Sequence, residues 1–270
     1  MIERVINNFS LEQICKSGQC FRMYPTETGR YSLIADRHYL QVEQRDGRTV
    51  FYCERSEFEN YWEAYFDLQA DYGFYMGKII PEDCYLNEAA EFGSGIRILR
   101  QDLWEMIVSF LISQQNNILR IRKCIENICG SYGEKLVGSQ GEEYYAFPTP
   151  QTLAALEEDA LMACNLGYRS KYVVRAARNI ADGQCDLENI RRLPYSEARE
   201  ELLKLYGVGE KVADCICLFA LHHLEAFPVD THIRQAMENH YRQGFPSEHY
   251  QGCQGVLQQY IFYYELAGGK

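Results

Sequence analysis

The residues best suited to do chemistry in this chain gather around one lysine. Lys211 stands in the run Leu205-Tyr206-Gly207-Val208-Gly209-Glu210-Lys211-Val212-Ala213-Asp214. Val212, Ala213, Cys215, Ile216, Leu218 and Phe219 follow it, so the lysine falls in the first turn of a strongly apolar helix. A lysine there either snorkels to water or is held out of it, and a desolvated amine is a nucleophile. Asp230 comes later, in Phe227-Pro228-Val229-Asp230-Thr231-His232. It reads as a helix N-cap or as a carboxylate beside the nucleophile, stabilising positive charge and assisting proton transfer. One residue can do both.

The two glycines before Lys211 carry a second signal. Gly207 and Gly209 flank Val208, with helical sequence on either side. Glycine allows the positive φ of a tight reversal, and the second helix presents free backbone N–H groups that suit a phosphate. That is the requirement of a helix-hairpin-helix DNA-binding unit. An isolated G-x-G is equally an ordinary helix–helix turn.

The elements that must position these residues divide into two kinds. Tyr31–Ala35 and Tyr39–Glu43 alternate like strands, Asp46-Gly47 marks a hairpin turn, and Thr49–Cys53 reads as the partner strand. Helical character starts near Ser56 and runs to about Tyr75. Asp102–Ser113 is apolar nearly all round, which describes a buried helix. Ile118, Ile121, Ile125 and Ile128 recur at helical spacing. Ser170–Ala181 is amphipathic and stops at Asp182-Gly183, and Ser196 caps a helix running to Tyr206. The expected fold class is α+β: an antiparallel β-rich domain over residues 1–90, then an α-helical region over 91–270 with the hairpin motif at about 196–222.

Composition narrows the function classes. Apolar residues make up 47% of the 270, enough for a sizeable core. No apolar run approaches the length of a membrane span, and the start lacks a signal-peptide pattern. An intracellular location is expected, cytoplasmic and nucleoid-associated in a prokaryote, with no membrane partner. Eleven cysteines lack the spacing of a metal site; only Cys215 and Cys217 stand close together. Reduced thiols packed as small core residues, and no metal, are expected. The net charge of −11 argues against a nucleic-acid partner on average. A local basic face suffices, however, and Arg120–Lys123 and Arg169, Lys171, Arg175 and Arg178 are candidates, or merely solvated helix faces.

The run G-V-G-E-K-V-A-D-C-I-C-L-F-A-L and F-P-V-D-T-H, spanning Gly207 to His232, resembles the helix-hairpin-helix glycosylase superfamily, and more narrowly its 8-oxoguanine DNA glycosylase branch. Three further segments resemble that branch in chain order: Ser17-Gly18-Gln19-Cys20-Phe21-Arg22, Ser113–Arg120 and Leu166–Tyr172. The resemblance covers nearly the whole chain. It implies a bifunctional enzyme that flips an oxidised guanine out of the duplex. Lys211 would attack C1′, a Schiff base would form, and β-elimination would follow, with Asp230 supporting the displacement. It implies that the Gly18 carbonyl meets N7–H of the lesion, that Cys215 stacks on one face of the base and that Gln254 bonds its Watson–Crick edge. Where the family often has an aromatic on the other face, the alignment places Gln258, and Phe262 is the candidate substitute. Asn116 and Asn117 would contact DNA or fill the gap, with Gln115 in place of a family Asn. Tyr168 would act as a wedge, Arg120 and Arg169 would read the orphaned cytosine, and His232 would meet phosphate. No cofactor is implied, the partner is double-stranded DNA, and the chain would act as a monomer.

Each assignment has a plainer counterpart: Gly18 a turn glycine, Cys215 core filler, Gln254 an exposed helix residue, the arginines phosphate contacts. Two other functions stay open. A monofunctional alkylbase glycosylase of the same fold would need Asp230 and water but not Lys211. A non-catalytic hairpin clip would need neither.

Overall fold

The computed structural model describes residues 1–139 and 141–268. Five antiparallel strands form the N-terminal sheet: β1 (Ile2–Arg4), β2 (Met23–Pro25), β3 (Tyr31–Ala35), β4 (His38–Arg45) and β5 (Arg48–Tyr52), in spatial order β1-β5-β4-β3-β2. Asp46 (φ 50°) and Gly47 (φ 71°) make the β4–β5 reversal, the left-handed pair that a two-residue hairpin demands. One face of the sheet buries Leu33, Leu40, Val42 and Phe51 against Phe58, Trp62, Tyr65 and Phe66.

The helical stretch expected over Ser56–Tyr75 is divided. Helix runs from Arg55 to Tyr65 with a π segment at Phe58–Trp62, and resumes at Tyr72–Met76. Asp67 causes the interruption. It takes a left-handed φ of 51°, and its carboxylate is engaged by Arg100 (3.0 Å), Tyr72 Oη (3.1 Å) and His222 (3.2 Å). That network ties the strand-rich part to the far end of the lysine-bearing helix.

A second, larger core belongs to the helical body. Leu103–Ser113 is buried on every side, as its composition requires. Around it lie Ile118–Tyr132, Ser170–Ala181, Tyr195–Leu203, Glu210–Phe219, Thr231–His240 and Gln254–Leu266. Helix Cys84–Phe92 also joins this body, packing against Gln254–Leu266. The Tyr195–Leu203 helix starts one residue before the expected Ser196 cap. Pro194 occupies its cap position, and the helix ends before Tyr206. Asp214 staples this helix to the next, accepting from Tyr195 Oη (2.8 Å) and Arg199 Nε (2.7 Å). No described helix is long and apolar enough to cross a membrane. All cysteines but Cys84 and Cys185 are buried. Among the described residues no group of His, Cys, Asp and Glu is placed to hold a metal ion.

The segment Ser17–Arg22 lies between the two cores and is held by buried polar groups. Gln19 is fully buried; its amide donates to Ser17 Oγ (3.0 Å) and the Arg97 carbonyl (2.9 Å), and its oxygen accepts from Leu99 N (2.9 Å). Arg22 donates to the Tyr145 carbonyl and faces Glu105 at 3.5 Å. Burial pushes the Glu105 carboxyl up to about 7 despite Arg22. The sign follows directly. The folded protein keeps this proton where the unfolded chain has lost it, so stability is greatest below the ordinary carboxylate range and falls as pH rises toward 7. The Glu105→Gln variant should not share this decline. Urea unfolding of both proteins from pH 5 to pH 8 should show the wild type losing about 3 kcal/mol relative to the variant. Parallel stability curves would refute the assignment.

Candidate active site

The glycine hairpin is built as its sequence suggests, but the two glycines differ. Gly207 has φ 91°, and a Cβ there would meet Tyr172 Cγ at 2.7 Å, so both backbone and space exclude a side chain. Gly209 is not left-handed. It is the extended N-cap of helix Glu210–Phe219 (φ −99°, ψ 177°), and a Cβ on it would reach open space. It offers no side-chain cap, which leaves first-turn amides for an outside acceptor.

Lys211 is half-buried in that first turn. Its Nζ lies 5.5 Å from the centre of the Phe110 ring and stands near enough to the Cys215 thiol, one turn on, to draw it down. Burial is the main cause that pushes the Cys215 thiol up to about 11, against the lowering effect of Lys211. The thiol is therefore neutral, a polarizable surface and not a competing nucleophile. Asp230 caps helix Thr231–His240, with Oδ1 accepting from Ile233 N at 2.9 Å.

Lys211 and Asp230 share two connected spaces. A groove of about 700 Å3 runs past Gln115, Asn116, Asn117, Ile118, His232 and Phe262. A recess of about 60 Å3 lies behind it, lined by Lys211, Cys215, Phe219, Pro228, Asp230, Gln258, Gln259 and Phe262. The recess is smaller than a purine, so it must widen to admit one. Phe262 forms a wall of both spaces. Its ring stands perpendicular to His232 at 5.8 Å and lies against Gly18, where a Cβ would come within 3.0 Å of it. Gly18 has φ 73°, so that position also favours glycine. The carbonyl of Ser17, its neighbour, accepts from Gln259 Nε2 at 2.6 Å and that of Gln19 from Gln101 Nε2 at 2.9 Å, which fixes the backbone on either side of the Gly18 carbonyl.

The structure corrects the choice of glutamine. Gln254 does not reach the recess. It sits in the first turn of helix Gln254–Leu266 with its side chain turned back, accepting from Gly252 N (2.8 Å) and donating to the Ser247 carbonyl (3.3 Å). Gln258, placed by the sequence alignment where an aromatic was expected, lines the recess instead. It is buried, and its Nε2 donates to the Pro228 carbonyl at 3.0 Å while Oε1 has no partner among the described residues. Phe262 follows one turn on, on the same stripe, and also lines the recess. The sequence signal that was passed over is Gln258-Gln259 as a polar pair inside the apolar run Gly255–Phe262. Gln258→Ala should lower the rate of base release about tenfold or more, the order expected when buried polar groups of a base lose their partner. Gln254→Ala should leave it within twofold. Single-turnover excision assays check both, and the reverse ranking would restore Gln254.

The duplex-facing candidates are less uniform. Asn117 caps helix Ile118–Tyr132 through Arg120 N (2.9 Å), and Asn116 Nδ2 donates to the Ile112 carbonyl (3.0 Å); both line the groove. Tyr168 is 47% exposed beside Tyr172, with Arg169 over its ring. Arg120 is exposed and its guanidinium has no hydrogen bond or ion pair among the described residues. Arg169 is the contrast, being buried and bonded to the carbonyls of Gln114, Gln115 and Leu166. Its guanidinium donors are taken up within the protein. The basic clusters also shrink. Arg122 donates to the Cys15 carbonyl, Arg175 pairs with Glu158, and Arg178 donates to the Ala154 and Leu156 carbonyls.

Comparison with known proteins agrees with this architecture. Residues 1–107 match the 8-oxoguanine DNA glycosylase N-terminal domain, and residues 108–249 match the HhH-GPD superfamily of base excision DNA repair proteins. The chain is 34% identical over 258 residues to an N-glycosylase/DNA lyase of Saccharomyces cerevisiae, covering 86% of this chain and 68% of the relative. An Arabidopsis thaliana N-glycosylase/DNA lyase is 32% identical, covering 83% of this chain and 64% of its own length. This chain thus spans about two thirds of these curated relatives. The Clostridium acetobutylicum 8-oxoguanine glycosylase/lyase, solved with double-stranded DNA containing cytosine opposite 8-oxoguanine, superimposes with a TM-score of 0.91 at 39% identity, covering 99% of this chain and 95% of that one. The chain belongs to the 8-oxoguanine DNA glycosylase family of helix-hairpin-helix base-excision proteins.

Proposed function

We propose that this protein is a bifunctional DNA glycosylase and abasic-site lyase that removes 8-oxoguanine paired with cytosine, using Lys211 as the nucleophile. The observation that carries the reading is the convergence of Lys211, Asp230, Cys215, Gln258 and Phe262 on one recess that opens into a groove. A base stacked in a duplex cannot reach the recess, so it is flipped first. Cys215 and Phe262 both line the recess and flank a flat ring once the recess has widened. Gln258 Oε1 supplies an unpaired acceptor for an N–H of the base edge. The Gly18 carbonyl, held in place through Ser17 and Gln19, meets N7–H of 8-oxoguanine. Guanine has a bare acceptor at N7 and is repelled there.

Lys211 Nζ attacks C1′ as the C1′–N9 bond breaks, and the base leaves with the electron pair and takes up a proton. Asp230 stabilises the positive charge that grows on the sugar. Loss of the amine proton and ring opening give the imine. Removal of a C2′ proton then expels the 3′ phosphate, and water releases Lys211. No cofactor takes part, and the partner is double-stranded DNA bound by a monomer. The hairpin amides and the groove-facing Asn117 and His232 serve the backbone.

Borohydride added to the protein on an 8-oxoguanine·cytosine duplex should trap a covalent adduct visible on a denaturing gel, with none on undamaged duplex. Tight lesion binding without adduct or base release would overturn the reading in favour of a non-catalytic clip.

A further inference from the structure

We propose that Gln101 and Gln259 are positioning residues for lesion recognition, their amides clamping the two carbonyls on either side of the Gly18 carbonyl so that it keeps a single direction. The inference rests on the lesion-reading role given to Gly18 above and names what makes that role selective.

A glycine is the least constrained residue on which to build a reading group. Gly18 has φ 73°, and no donor among the described residues takes its carbonyl. The direction of that carbonyl is set by rotation about the bonds on each side of its peptide plane. Both neighbouring planes are tied. Gln259 Nε2 donates to the Ser17 carbonyl at 2.6 Å, and Gln101 Nε2 donates to the Gln19 carbonyl at 2.9 Å. The two glutamines are 2% and 6% exposed, so water does not readily replace either bond. The Gln19 side chain braces the same turn against the extended stretch before helix Leu103–Ser113, through the Arg97 carbonyl and Leu99 N. Phe262 and Ile118 close in on Gly18 from the side.

The clamps also tie the carbonyl to two walls of the recess. Gln259 follows Gln258 on helix Gln254–Leu266 and lines the recess itself. Gln101 N donates at 3.1 Å to the carbonyl of Phe219, the last residue of the Lys211 helix and another lining residue. A base held between these walls meets a carbonyl whose direction is fixed relative to them.

At N7, 8-oxoguanine and guanine differ by one hydrogen. N7–H donates to the carbonyl, whereas a bare N7 opposes it lone pair to lone pair. A carbonyl free to turn would relieve that repulsion and let guanine stay, and it would hold N7–H less well. To turn here, it must break a buried amide–carbonyl bond and strand both partners. Selectivity comes from the cost of turning, not from the carbonyl alone.

The test measures binding of cytosine-paired 8-oxoguanine and guanine duplexes in a Lys211→Gln background, with and without Gln101→Met or Gln259→Met. Methionine keeps the length of glutamine and removes the donor. Each substitution should lower the 8-oxoguanine-to-guanine binding ratio about fivefold or more. With Lys211 present, Gln101→Met should slow 8-oxoguanine excision by a similar factor. It should still cleave a preformed abasic site at a rate within about twofold of the parent, because no base is there for Gly18 to read. An equal fall in both rates marks a general loss of structure and overturns the positioning role, as does an unchanged binding ratio in both variants. A Lys211→Gln protein that does not distinguish 8-oxoguanine from guanine removes the lesion-reading premise, and this inference with it.

Discussion

Lys211→Gln is expected to bind the lesion duplex, release no base and form no adduct with borohydride. The loss in excision rate should be at least about a thousandfold, as when a covalent nucleophile is removed. The fold should survive. Lys211 is half-buried at a helix start, and glutamine is a good helix former that keeps a polar end near Cys215. Binding should survive too, because the first-turn amides, Gly207 and the groove-lining asparagines are untouched. No neighbour takes over the attack. The Cys215 thiol, pushed up to about 11 by burial, stays protonated. An adduct that persists in Lys211→Gln would mean that another amine reaches C1′, and the assignment would fail.

The position of Lys211 in the first turn of an apolar helix was legible because its clues are local. A glycine pair, a helix start and an apolar follow-through lie within ten residues, and each has a steric or electrostatic reason. Gly207 is enforced by the Tyr172 ring and Gly18 by Phe262, two contacts that the sequence shows only as a glycine at each position. The hairpin at Asp46-Gly47 and the all-round apolar Leu103–Ser113 were legible for similar reasons. The glutamine was not. Residues 254, 258 and 262 share one stripe of their helix, so helical spacing cannot say which of them faces the recess. That is decided by the loop before the helix, which claims Gln254 through Ser247 and Gly252. The engagement of Arg169 was hidden for a different reason. A motif shows that an arginine is present, but not that Gln114, Gln115 and Leu166 have already taken its donors. The break at Asp67 likewise depends on Arg100 and on His222, which lies far along the chain.

Asp230→Asn separates the two readings that the sequence left superposed at that position. The cap needs only an acceptor, and Asp230 Oδ1 provides it to Ile233 N at 2.9 Å. Asparagine supplies the same acceptor and is an equally good N-cap, so the melting temperature should barely move. The negative charge is what disappears. If that charge stabilises the sugar as the base departs, excision should slow about a hundredfold. Cleavage of a preformed abasic site should slow less, because no glycosidic bond remains to be broken. Asp230→Ala should show the same kinetic loss and, in addition, about 1 kcal/mol of destabilisation from the lost cap. Wild-type excision by Asp230→Asn would reduce Asp230 to a cap. In that case the charge opposing the developing cation would have to come from the DNA phosphates, since of the two carboxylates on the lysine's own helix Asp214 is held by Tyr195 and Arg199 and Glu210 is exposed beside Arg199.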